Sequence, residues 1–235
     1  MVEQSFLKLF WGICLKLLPY VFVALGLKLL IWTFESFSWW PEINNPGIII
    51  GVIGFGIAIL LGAKLSVVNG RLYSIEDAVC RIVGSLRVLH HKEHLGKATL
   101  AWAVQFEETL SNLTSENIIA ARQQTTTLIA KTLTEGHDGP HLAGFTRDVS
   151  YVLHRATAEI PMAYEVFLTL TIALYTIMIA VLVPSVGGFI AIFILVFVLF
   201  GAAVLIEDMD HPLDKQGLIS VNIEPLKYFI SQAHD

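Results

Sequence analysis

The sequence predicts an all-α integral membrane protein with four transmembrane helices and a cytosolic helical region, and three observations carry that reading. Of its 235 residues, 55% are hydrophobic and only 15% are charged, against about 25% charged in ordinary soluble domains. The mean hydropathy is +0.68. Four apolar stretches each approach the roughly 20 residues needed to cross a hydrocarbon core. Between the second and third of them, apolar residues recur at helical spacing, with no strand-like alternation and no repeat. The net charge of -5 and the lack of any basic run exclude an electrostatic nucleic-acid surface.

The elements follow in chain order. Residues 1–16 are too long and too apolar for the leading region of a cleavable signal, and no small-residue cleavage site follows them. Phe6, Leu7, Phe10 and Trp11 suggest an amphipathic helix at the interface. It leads into a first span at about 17–34, and the second covers about 47–68. From there to residue 158 the pattern is helical. Ile75, Ala78, Val79, Ile82, Val83, Leu86 and Leu89 keep i, i+3, i+4 spacing. Ser74 with Asp77 resembles a capping box opening that helix. Leu100, Ala103, Val104 and Leu110 continue after Gly96, and Ile118, Ile119, Leu128 and Ile129 mark another helix. "EGHDGPH" (Glu135–His141) is a break. A last helix, about 143–159, leads through Pro161 into the third span at about 163–183, and the fourth follows the Pro184-Ser185 turn at about 186–206. The chain therefore divides at about 1–68, 69–158, 159–206 and 207–235, the last part an acidic motif and tail.

Charge sets the expected orientation. The first and second spans are joined by a segment carrying Glu35 and Glu42 but no Lys or Arg, whereas Lys64 at the inner end of the second span, and Arg71, Arg81, Arg87 and six further basic residues to Arg155, precede the third. Lys8 and Lys16 precede the first span; Lys215 and Lys227 follow the fourth. The positive-inside rule then puts both termini and the middle region in the cytoplasm of a cell whose inner (plasma) membrane the chain crosses. Trp39 and Trp40 fit the outer interfacial belt. Cys14 and Cys80 form no spacing motif and are not expected to pair. The Asn112-Leu113-Thr114 sequon falls on the cytosolic side.

The second span, "GIIIGVIGFGIAILLG", is the most unusual stretch. Glycine costs about 1 kcal/mol in a helix interior, yet Gly47, Gly51, Gly54, Gly56 and Gly62 all fall here. Gly51, Gly54, Ala58 and Gly62 line up on one stripe roughly 80° wide, a surface that lets another backbone come close. Beside it runs an apolar ridge, Phe55, Ile59 and Ala63. Spacing alone leaves three destinations open for that ridge: lipid, a neighbouring helix, or an axis shared between copies.

"GFGIAILLGAKLSVVNGRLYS" (Gly54–Ser74) resembles the second transmembrane helix of bacterial bestrophins, matching at Gly54, Ile59, Leu61 and Gly62, with Lys64 in the basic position and Arg71 opening Arg-Leu-Tyr-Ser. "RATAEIPMAY" (Arg155–Tyr164) is similar to that family's turn into its third span. "IEDMDHPLD" (Ile206–Asp214) is similar to its Ile-Glu-Asp-Pro-Phe-Gly and Leu-Pro-Leu-Asp elements. The resemblance follows the chain order and implies a bestrophin-like, homopentameric ion channel, most members being anion (chloride) conducting. It implies that Phe55, Ile59 and Ala63 form the rings of a hydrophobic pore neck, with Ala63 where Phe is usual, and that the Gly51, Gly54, Ala58, Gly62 stripe packs helices. Leu72 and Tyr73 stand in place of two tryptophans.

Other residues bear on ion selectivity or chemistry. Lys64, repeated round an axis, favours anions at the inner mouth; it reads equally well as an interfacial lysine snorkelling to water. Glu35 and Glu42 act in the opposite sense if they face the outer mouth. Lys28 and Glu165 lie near span ends and are read as snorkelling. Asp208, Asp210 and Asp214 make calcium a candidate ligand, although a solvated acidic segment accounts for them too. No cofactor is required. "HHKEH" (His90–His94) invites a metalloenzyme reading, but His137, His141, His154, His211 and His234 supply no second box for a two-iron site. No nucleophile triad, phosphate loop or thiolate motif appears, so the chain reads as a non-enzyme. A cation-conducting relative, a His-box membrane metalloenzyme centred on His90, His91 and His94, and a non-conducting membrane scaffold remain as alternatives.

Overall fold

The computed structural model describes residues 2–35, 46–91, 95–134, 139–158, 161–183, 185–210, 213 and 221–233. They form eight helices and, among the described residues, no strand: α1 (Val2–Glu35), α2 (Pro46–His90), α3 (Gly96–Ser111), α4 (Ser115–Thr134), α5 (Gly139–Thr157), α6 (Met162–Leu182), α7 (Ser185–Asp210) and α8 (Glu224–Gln232). They fall into two compact units, Met1–Val68 with Glu159–Asp210, and Asn69–Ala158 with His211–Asp235.

Helices α1, α2, α6 and α7, which make up the first unit, are the four that are long and apolar enough to cross a membrane. The protein is a multi-pass membrane protein. α1 packs along α7 and α6, and α6 along α7. The buried side of α1 carries Leu17, Ala24, Lys28 and Ile31, with half-buried Val21 between the first two. That spacing of four, three, four and three is the seam of a helix packed at a shallow angle. Tyr20 stacks on Phe200 at 4.7 Å and Trp32 meets Phe189 edge-on at 6.4 Å, so aromatic pairs join α1 to α7 at two levels. α1 is unbroken from Val2, with Pro19 inside it. The expected interfacial helix is thus not set off by a turn. No turn signal interrupts the chain from Phe6 to Leu18, and a lone proline removes one ladder bond without ending a helix of this length.

In the second unit, Ile75, Ala78, Val79, Ile82 and Leu86 of α2 meet Trp102 and Phe106 of α3, Phe145 and Val152 of α5, and Leu226 and Phe229 of α8 in one core. Trp102 stacks on Phe106 at 4.7 Å, and its indole N–H donates to Thr125 Oγ1 at 3.0 Å, which satisfies the one polar atom the ring carries inward. The tail returns to this core through Val221, and Asn222 N–H donates to the Glu76 carboxylate at 2.9 Å.

Two local expectations are corrected. Ser74 opens no helix. α2 is continuous through it, and its hydroxyl donates back to Arg71 O at 2.7 Å, as a serine inside a helix does. Asp77 instead pairs with Arg81 one turn on. Likewise α7 runs to Asp210, so Asp208 and Asp210 sit on its last turn rather than in the tail. Hydrophobicity ends at Ile206, but nothing that breaks a helix occurs before Pro212.

Asp148 of α5 is buried, and Arg81 Nε donates to it at 3.1 Å, with Arg147 further off at 3.6 Å. Arg81→Met removes the nearer cation from a buried carboxylate. The expected loss is about 1–3 kcal/mol, measured as a lowered unfolding midpoint in detergent. Adding Asp148→Asn should recover part of it, because the remaining group no longer carries a buried charge.

Candidate functional site

The face of α2 within the first unit is set by its buried residues. Ile57, Leu61, Lys64 and Val68 are buried, again at four, three and four residues. At ~100° per residue their centre lies roughly 170° round the helix from Ile59. On that far side Phe55 is 70% exposed and Ile59 55% exposed, and Ala63 is exposed with them. The ridge read from the sequence therefore belongs to the broad surface of α2 that this chain's own helices leave uncovered, with Val52 and Val67 exposed as well.

The small-residue stripe divides in two. At Gly51 and Gly62 an added Cβ meets nothing within 4 Å, and Ala58 is exposed, so these three are unused inside the chain. Gly54 differs. A Cβ there would collide with the Tyr175 hydroxyl of α6 and lie 3.1 Å from its ring carbon Cζ. That hydroxyl donates to Ile50 O at 2.9 Å, and the Tyr164 hydroxyl, also on α6, donates to Leu60 O at 3.0 Å.

Inside this chain Lys64 already has a partner. It is 6% exposed, lies on the buried side of α2, and its ammonium donates to Glu165 Oε1 at 3.1 Å. Glu165 stands in the first turn of α6, where a carboxylate is favoured by the helix dipole. Both charges that looked able to snorkel at this level are thus spent on each other. The Glu35 side chain and Glu42 lie outside the described residues.

Lys28, which reads from the sequence as snorkelling, is instead held inside the chain. It is 0% exposed, and its ammonium donates to Ala180 O at 3.0 Å and Val183 O at 2.8 Å, closing the C-terminal end of α6. Gly188 of α7 makes the room: a Cβ there would lie 2.7 Å from Lys28 Cε and collide with the Val183 carbonyl. The signal was present in the α1 seam, since position 28 falls in phase with 17, 21, 24 and 31.

Among the described residues the acidic and histidine candidates do not converge. Asp208 has the Lys16 ammonium at 3.5 Å, and Asp214 lies outside the described residues. Among the described residues no group of three His, Cys, Asp or Glu side chains is placed to hold a metal. An ammonium beside one of two carboxylates on a single helix turn is a poor donor set for a hard cation. His90 Nδ1 is 3.3 Å from Gly96 O and its ring sits edge-on to Phe229, while His94 lies outside the described residues.

No family model matches the sequence, and no curated protein matches it significantly. Solved structures do share the fold, which is that of a four-span, all-helical membrane protein. A variant of a bacterial bestrophin homolog from Klebsiella pneumoniae aligns with a TM-score of 0.69 at 13% identity, over 94% of this chain and 98% of its own. A second structure of a bacterial bestrophin homolog from that organism gives 0.55 at 14% identity, over 91% and 94%. A further membrane-protein structure gives 0.66 at 16% identity, over 91% and 96%. The chain has the bestrophin fold across nearly its whole length.

Proposed function

We propose that this chain forms a passive, oligomeric ion channel of bestrophin-like type, with α2 helices of neighbouring copies around a common axis and Phe55, Ile59 and Ala63 as the neck. The observation that carries the reading is the uncovered apolar face of α2 in a chain of this fold. The unused Gly51, Ala58 and Gly62 surface lets copies approach closely. Rings of apolar side chains then make a constriction that opens and closes by wetting, widest at Ala63. With Lys64 paired to Glu165, no free charge of α2 stands between Gly47 and Val68. Preference for anions such as chloride, and assembly as a homopentamer, are what the resemblance brings to the proposal. Both termini lie on the cytoplasmic side of the plasma membrane by the distribution of Lys and Arg.

The test is current through purified protein in a planar bilayer under a potassium chloride gradient. Reversal near the chloride equilibrium potential is the expected result. Reversal near the potassium value would keep the pore, overturn the anion assignment and turn attention to Glu35 and Glu42. An intact oligomer that carries no current, in the parent chain and in neck variants alike, would make the protein a non-conducting scaffold.

A further inference from the structure

The polar groups of α6 that touch α2 all do so at one side of it. We infer that Tyr164, Glu165 and Tyr175 are positioning residues: they fix the rotation of α2 about its own axis, and so decide which of its residues form the neck. The inference rests on the channel reading above and adds the element that sets its geometry.

The attachments are at Ile50 O, Leu60 O and the Lys64 ammonium. They extend over about 21 Å of helix at 1.5 Å per residue, and all lie on the half of α2 turned away from Ile59. Two of the three bind backbone. A helical carbonyl keeps a second lone pair free, so each tyrosine bonds it without opening the ladder. A backbone oxygen has no rotamers, so it reports the orientation of the helix itself. Sliding α2 by one residue turns every position by ~100°. It would strip both hydroxyls and the ion pair of their partners in apolar surroundings, where each must find another.

Gly54 belongs to the same device. It sits one turn after Ile50, against the hydroxyl that Ile50 O accepts, while Gly51 and Gly62 face open space. Its lack of a side chain lets the tyrosine reach the α2 backbone. Glycine in this span thus serves two separate ends, one inside the chain and one on its surface.

The experiment uses full-length protein in bilayers, with Cys14→Ser and Cys80→Ser as background and a charged, water-soluble methanethiosulfonate as probe. Ile59→Cys is expected to react and alter the current, and Gly62→Cys to react slowly. Adding Tyr164→Phe, Glu165→Gln and Tyr175→Phe should lower the rate at Ile59→Cys by roughly 5- to 10-fold, the population change that losing hydrogen bonds of ordinary net strength produces. The rate at Gly62→Cys should rise. An unchanged rate at Ile59→Cys in an assembled triple variant overturns the positioning role alone. Silence at Ile59→Cys in the background protein overturns the pore reading, and the positioning role with it. A second pair does not depend on the triple variant assembling. Gly54→Ala should by itself shift reactivity from Ile59→Cys to Gly62→Cys, and Tyr175→Phe added to it should restore most of the original pattern by removing the colliding oxygen. Gly54→Ala without effect, or with an effect that Tyr175→Phe leaves untouched, overturns the inference.

Discussion

Truncating Phe55 or Ile59 to alanine is expected to raise the current per channel or the open probability several-fold. Both side chains project from the face of α2 that the chain's own helices leave bare. In a ring of copies each substitution removes one apolar side chain per subunit at a single level. Wetting a hydrophobic constriction becomes easier as it widens, and each 1.4 kcal/mol off the barrier is about tenfold in rate. Ala63→Phe should act in the opposite direction by adding a ring where this chain has none. Single-channel recordings of the three variants beside the parent decide the matter. Parent-like conductance and open probability in both alanine variants would assign the face to lipid.

The spans were legible because the bilayer acts on each helix separately. Length and apolarity suffice, whatever the helix later packs against. Helix phase was equally legible, but it competes with louder local signals. Buried residues of α2 include 57, 61, 64, 68, 72, 75, 79, 82, 86 and 89, a series of threes and fours from Ile57 to Leu89, with Arg71, Ala78 and Val83 buried beside it. That series already says that one helix passes through Ser74 and that Lys64 faces inward. A capping pattern at Ser74 and a charge at Lys64 suggested otherwise, because both motifs occur where the helix simply continues. Lys28 follows the same logic in α1.

Partners were not legible. Glu165 is 101 residues from Lys64, and the carbonyls that hold Lys28 are 152 and 155 residues away. No local pattern encodes such pairings without alternatives to choose between. The use of Gly54 is of the same kind, for it depends on a tyrosine brought over by a different helix. The role proposed for the Phe55 ridge lies further still, since the partner it calls for is another copy of the chain. Fold class could thus be read from one helix at a time, internal supports needed pairs of helices, and the proposed neck calls for several chains.

Lys28→Met is expected to lower the stability of the protein by about 2–5 kcal/mol. The last carbonyls of any helix lack partners within it. α6 ends at Leu182 and α7 begins at Ser185, so the connection is too short to fold a cap of its own. In water the loss would be small, but in apolar surroundings an unpaired carbonyl is costly. The Lys28 ammonium meets two of these oxygens, and the negative end of the α6 dipole favours the charge in return. Methionine keeps an unbranched, adaptable stem of similar length and takes away only the donor and its charge. Lys28→Arg tests fit rather than charge. The Lys28 Cε passes 2.7 Å from where a Cβ of residue 188 would stand, and the broader guanidinium should also destabilise, though less. Gly188→Ala should destabilise by crowding that carbon and the Val183 carbonyl. Because both substitutions disturb one site, Lys28→Met and Gly188→Ala together should cost less than their sum. Thermal unfolding in detergent, followed by the loss of the folded peak on size exclusion, measures all four variants. A Lys28→Met protein that unfolds with the parent would show that water or lipid headgroups serve those carbonyls equally well, and that the buried lysine is held for some purpose other than closing α6.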